Sequence, residues 1–159
     1  MKLYIRQKVF SWTDRFTVMD EAGLSKYYVE GELFSFGKKL HVYDMTGAKR
    51  AFVQQKVFSF LPRYFVFIGE QQVAEIVKEF TFFRQQYTVE GLGWEVTGNF
   101  WAHDYEIVQN GRTIVTIHKE WMTWGDCYEL DIADESDEII ALAVVLAIDS
   151  VLDAASSNN

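Results

Sequence analysis

The sequence predicts a mainly β domain: an antiparallel barrel of about twelve strands closed around a hydrophobic C-terminal α-helix. Three observations carry that prediction. Up to about residue 132, short runs of β-branched and aromatic residues alternate with polar ones and are cut by glycine turns. A single proline, Pro62, and no linker-like stretch interrupt these runs, so the 159 residues read as one domain spanning 1–159. After them comes "EIIALAVVLAI", Glu138 to Ile148, which is apolar on every helical face from Ile139 onward.

The candidate strands, in order, are 3–9, 15–20, 26–35, 39–44, 50–60, 63–68, 71–83, 86–96, 100–109, 112–122 and 127–132. So many short strands favour closure, because a closed sheet has no edge strand left to pair with another chain. Asn110-Gly111 is the clearest turn: both residues tolerate the positive φ of a type I′ hairpin, which predicts a two-residue connection with residue 109 facing 112. A second turn is expected at Asp44 to Gly47.

The strand region repeats itself. "QKVFSW" at 7–12 returns as "QKVFSF" at 55–60, with looser relatives "KEFTFF" at 78–83 and "KEWMTW" at 119–124. Eight or nine residues after each lysine stands Phe16, Tyr64, Tyr87 or Tyr128, so the copies share a strand-to-strand connection. A second echo pairs "YVEGELFSF", from Tyr28, with "TVEGLGWEV", from Thr88. Together these predict an ancestral β-unit duplicated within one barrel.

The C-terminal stretch is too short for a membrane. Ten apolar residues span about 15 Å as a helix, half of a hydrocarbon core that needs roughly 20 residues. Extension meets Asp149 and Ser150. Asp134, Glu135, Asp137 and Glu138 precede the stretch, as a helix N-terminus prefers, and Asp134 or Ser136 can cap it. A surface helix would show one apolar stripe, whereas this one must be surrounded, which puts it inside the barrel at about 135–154.

Charge bounds the function. The net charge of −8 argues against a nucleic-acid binder, and aromatic residues without a basic groove read as barrel filling and not as stacking platforms. The average hides a split: residues 1–84 hold thirteen Lys/Arg against nine Asp/Glu, and residues 85–159 hold two against fourteen. An anionic partner should therefore meet the first half. Cys127 is the only cysteine, so no intramolecular disulfide is expected, and an opening "MKLYIRQKVF" without a secretory pattern fits a reducing cytoplasm.

With "QKVFSW", "VEGELFSFGKKLHVYD", "FTFFRQQYTVEG" and "EIIALAVVLAIDSV" in place, nearly the whole chain resembles the LURP-one-related family, especially its bacterial members. The resemblance implies the tubby C-terminal fold, shared with phospholipid scramblases. It implies no catalytic motif, and through tubby domains it implies binding to phosphoinositide head groups at a membrane surface.

The residues offer two local sites. A turn at Asp44–Ala48 brings Lys38 and Lys39 near the end of the strand carrying Lys56, an expected basic cluster at one rim for anionic lipid head groups. Lys49 and Arg50 fall at the opposite end. Counting back from Asn110-Gly111 sets His103 opposite His118 with Glu120 diagonal to it, a pair that could share a divalent metal if further ligands joined. His41 is read as structural.

No Rossmann or Walker loop, nucleophile elbow or metalloprotease helix occurs; "GLGWEVTG" precedes no helix, and the carboxylate pairs Glu30/Glu32 and Glu129/Asp131 each lie on one strand. The expectation is thus a non-enzymatic binding or interaction module without a cofactor, cytoplasmic or peripheral at a membrane. The alternatives are a protein-interaction scaffold using the acidic second half and a small metal-binding protein using His103 and His118.

Overall fold

A computed structural model describes residues 1–6, 15–32, 37–58, 60–61, 63–80, 85–122 and 125–157. They form twelve strands: β1 (Lys2–Arg6), β2 (Phe16–Met19), β3 (Ser25–Gly31), β4 (Lys39–Asp44), β5 (Lys49–Gln55), β6 (Arg63–Ile68), β7 (Gln71–Phe80), β8 (Gln85–Glu90), β9 (Trp94–Asn99), β10 (Asp104–Gln109), β11 (Arg112–Met122) and β12 (Gly125–Ile132). A 3-10 turn at Glu135–Asp137 leads into α1 (Glu138–Ser157). Each strand pairs antiparallel with its neighbours in sequence, and β1 closes the barrel on β12 through pairs such as Leu3 with Leu130 and Ile5 with Tyr128.

Alternation sorts side chains between the two faces. On β4, Leu40 and Val42 are buried while His41 and Tyr43 stand outside; on β5 the inward residues are Ala51 and Val53. The inward set merges with α1 into one core, and every residue from Ala141 to Leu152 is buried. The helix lies against β5, β6, β7 and β12. It fills the lumen, as its all-round apolarity requires. Burying each large side chain such as Leu142 or Leu146 contributes about 1.5–3 kcal/mol.

The helix start is pinned by polar contacts. The Asp134 carboxylate accepts from Ser136 N and Oγ at 2.9 and 2.8 Å, satisfying main-chain groups that helix geometry leaves open. Tyr27 Oη donates to Glu138 Oε1 at 2.8 Å, and Lys26 Nζ lies 2.7 Å from the same oxygen, tying α1 to β3.

An up-and-down meander puts the connections after even strands at one end and those after odd strands at the other. The even-strand end is made of tight turns. Asn110 and Gly111 have φ of 50° and 74°, and the Asp44 side chain accepts from the Thr46 and Ala48 main chain.

Three expectations are corrected. The run at 86–96 is not one strand but β8 and β9, because Gly91 and Gly93 take φ of 96° and 65° and turn the chain back. The "VEG" echo is not a structural equivalence, since Gly31 ends β3 and Gly91 follows β8, strands that run in opposite directions. The lysine repeats do begin at equivalent places: Lys56 follows β5, and Lys78 and Lys119 lie near the ends of β7 and β11, all odd strands, while 7–12, 59, 81–83 and 123–124 lie outside the described residues. The helix runs to Ser157, past the expected 154, and begins as a 3-10 turn.

Candidate functional site

The odd-strand end of the barrel carries the most unusual surface. Between β5 and β6, Phe58 and Phe60 are 94% and 101% exposed, and between β9 and β10 Trp101 is more than half exposed. Leu24 and Met45 are exposed at the other end, but no aromatic side chain accompanies them there among the exposed large apolar residues described. Phe58 holds φ at 62°, a conformation that costs a non-glycine residue free energy. Lys56 precedes these phenylalanines and is exposed. Its amide donates to Arg63 O at 2.9 Å, so both flank the same connection. Arg63 is held by Glu75 at 2.8 Å.

The three candidate lysines are neighbours in the backbone. Gln55 N donates to Lys38 O at 2.8 Å, and Lys39 pairs with Gln54. Alternation separates their side chains. Lys38 shares the inward parity of Leu40, and its Nζ donates to Ser150 O of the helix at 3.3 Å. Lys39 lies on the outer face, 3.9 Å from Glu32. Lys49 and Arg50 belong to the opposite end, where Lys49 Nζ sits 4.5 Å from the Phe52 ring centre and Arg50 meets Asp44. His41 lies on the outer face, stacked on Phe52 and 3.1 Å from Glu32.

Beneath this rim the lumen becomes polar. Tyr64, Tyr87 and Tyr128, three of the four aromatic residues following the repeated lysines, are buried there with Tyr105. Burial pushes the Tyr87 phenol up to about 12. It pushes Tyr105 well above its ordinary range, with nearby Asp149 adding to the shift. His103 stacks on Tyr128 with ring centres 4.2 Å apart and places Nδ1 3.5 Å from Asp149 Oδ1.

His103 therefore does not face His118. A bulge between Ile107 and Val108 advances the β10–β11 register, so that Tyr105 pairs with Ile117, and His103 sits in the connection before β10 with φ 50°. The extra residue breaks the simple count from Asn110-Gly111. His118 has other companions: Glu120 on its own strand, 3.0 Å away, and Glu129 on β12, 3.5 Å away. Glu129 is only 4% exposed. Burial pushes its carboxyl up, but hydrogen bonds from Lys2 and Tyr4 outweigh that and hold it below the usual carboxylate range.

The sequence missed Phe58, Phe60 and Glu129. For the first two, the available signal was the repeat itself: "VFSF" carries both phenylalanines within a strand connection. For Glu129 it was the β11–β12 register, which no recognisable turn fixed in advance.

Among the described residues, a shallow pocket lined by Gln72–Glu75, Glu90 and Gly91 holds about 170 Å³. Small-molecule sites run to about 300–1,000 Å³.

Comparison with known proteins agrees with this architecture. The family model described as LURP-one-related matches residues 1–149. The uncharacterized protein YxjI of Bacillus subtilis (strain 168) is 35% identical over 152 residues, covering 96% of this chain and 94% of that protein. The X-ray structure of a protein from Arabidopsis thaliana superposes with a TM-score of 0.64 over 93% of this chain and 89% of that one, at 14% identity, a likeness of fold.

Proposed function

The chain belongs to the LURP-one-related family, and we propose that it is a non-catalytic binding module that docks the odd-strand rim of its barrel on an anionic membrane surface. The observation that carries this reading is the pair Phe58 and Phe60, exposed on one connection that Lys56 and Arg63 flank. Aromatic side chains favour the interface between hydrocarbon and head groups, and each phenylalanine withdrawn from water contributes about 1.5–3 kcal/mol. Each lysine or arginine near an anionic leaflet adds about 1 kcal/mol. Lys39 and Lys56 supply charge from the outer face, whereas Lys38 is turned to the helix. No helix among the described residues is long and apolar enough to cross a membrane, so attachment in this reading is peripheral.

The test is co-sedimentation with phosphatidylserine-containing vesicles, with neutral phosphatidylcholine vesicles beside them. Retention on the anionic vesicles that weakens as salt rises supports the reading. No retention on either at low salt overturns it. Retention by a basic protein without any by lipid would replace it with the scaffold reading.

A further inference from the structure

On the outer face near the β1–β12 closure, away from the rim, three metal-ligating side chains stand together. His118 pairs directly with Glu129, and Glu129 with Tyr4, so one rung crosses β11, β12 and β1. Glu120, two residues after His118, projects from the same face of β11. The ligand atoms of His118, Glu120 and Glu129 all lie within 4.8 Å of one another. Zinc bonds of about 2.0–2.2 Å at tetrahedral angles set neighbouring ligand atoms roughly 3.4 Å apart. His118 Nε2 is already 3.0 Å from Glu120 Oε1 and 3.5 Å from Glu129 Oε1.

We propose that His118, Glu120 and Glu129 bind one divalent ion of the zinc class, with a fourth position left to solvent. One imidazole and two carboxylates suit zinc or cobalt better than a softer thiolate metal or an all-oxygen calcium site. The scaffold favours a defined geometry, because two of the ligands sit directly opposite on paired strands and the third is fixed by strand alternation. Tyr4 Oη donates to Glu129 Oε2 at 2.9 Å, which leaves Oε1 turned toward His118. Such an outer hydrogen bond orients a ligating carboxylate.

A cation already sits at this carboxylate. Lys2 Nζ lies 2.7 Å from Glu129 Oε1, and its side chain is 39% exposed. A metal ion would replace one positive charge by another, with the lysine withdrawing to solvent. Lys2 is thus a competitor for the site, which gives the proposal a signature that a purely structural ion network lacks.

The experiment uses the full chain stripped with chelator, titrated with ZnCl2 by calorimetry and with CoCl2 by visible absorption. The expected result is one equivalent bound, a tetrahedral cobalt spectrum, and a melting temperature that rises with free zinc. Loss of a group that only hydrogen-bonds a ligand weakens metal sites about 10–100-fold, so loss of a ligand itself in His118→Ala should weaken binding by more than about 100-fold. Glu120→Gln, at a partly exposed position, should also weaken it, Lys2→Ala should tighten it several-fold, and His103→Ala should leave it unchanged. Melting curves of the metal-free variants keep a folding defect from passing as lost affinity. Absence of zinc binding in both the wild type and Lys2→Ala overturns the proposal, as does undiminished binding in folded His118→Ala and Glu120→Gln.

Discussion

The Lys38 ammonium donates to the main-chain carbonyl of Ser150 at 3.3 Å, joining the start of β4 to the buried helix across 112 residues of sequence. A charged donor on a carbonyl inside the barrel serves the fold, and it separates Lys38 from the two lysines on the outer side. Lys38→Met should lower stability by about 1–2 kcal/mol, a melting shift of roughly 2–8 °C. Lys56→Met, at an exposed position, should leave the melting temperature unchanged and weaken retention on anionic vesicles. Thermal melts and vesicle co-sedimentation on the same two variants check the distinction.

Phe58 and Phe60 bury almost nothing within the chain. Phe60→Ser should therefore change stability by less than about 0.5 kcal/mol. In vesicle partitioning the same substitution should lower affinity by about tenfold or more, following the 1.5–3 kcal/mol carried by one phenylalanine. Equal partitioning of variant and wild type would detach the rim from any membrane role.

Leu142 is fully buried in the lumen. Leu142→Asp places a charge there with no partner, at a cost of about 3–5 kcal/mol or more, a large share of a domain's total stability. Loss of soluble folded protein is the expected outcome, read by yield and near-ultraviolet circular dichroism. A variant with unchanged urea midpoint would contradict the position of α1.

Asp134 supplies a pH dependence with a definite sign. Hydrogen bonds from the Ser136 amide, and then from its hydroxyl, hold the Asp134 carboxyl below its ordinary value of 3.8. A folded-state value below the unfolded one means the contribution is complete above about pH 4 and is lost as pH falls through the folded value. Asp134→Ala should thus be less stable than wild type at pH 7, and the difference should shrink progressively below pH 4. Urea titrations at several pH values would measure this; a difference constant down to pH 2 would exclude the capping bond as its source.

Much of the barrel could be read in the chain because its signals are local. Asn110-Gly111 adopts the positive φ values that its residue types permit, and Asp134 caps the helix start as its position suggested. The failures are equally physical. "TVEGLGWEV" has enough apolar alternation to pass for one strand, and only the positive φ of Gly91 and Gly93 folds it into two. The bulge opposite Ile107 and Val108 shifts the β10–β11 register by one residue without any proline or glycine to announce it, and β10 begins only at Asp104, which leaves His103 in the preceding connection beside Asp149.

What the sequence by itself determined is the inside of this protein. Period-two alternation fixes which strand residues face inward, and a segment apolar on every side, too short for a bilayer, can be satisfied only by being enclosed. What the tertiary structure decided is which outside residues meet. His118 gains Glu129 through strand register, Lys38 is drawn in to Ser150, and Phe58 and Phe60 remain in solvent. The reason is that burial patterns repeat along the chain, whereas a site depends on pairs distant in sequence, and a one-residue change of register exchanges its members.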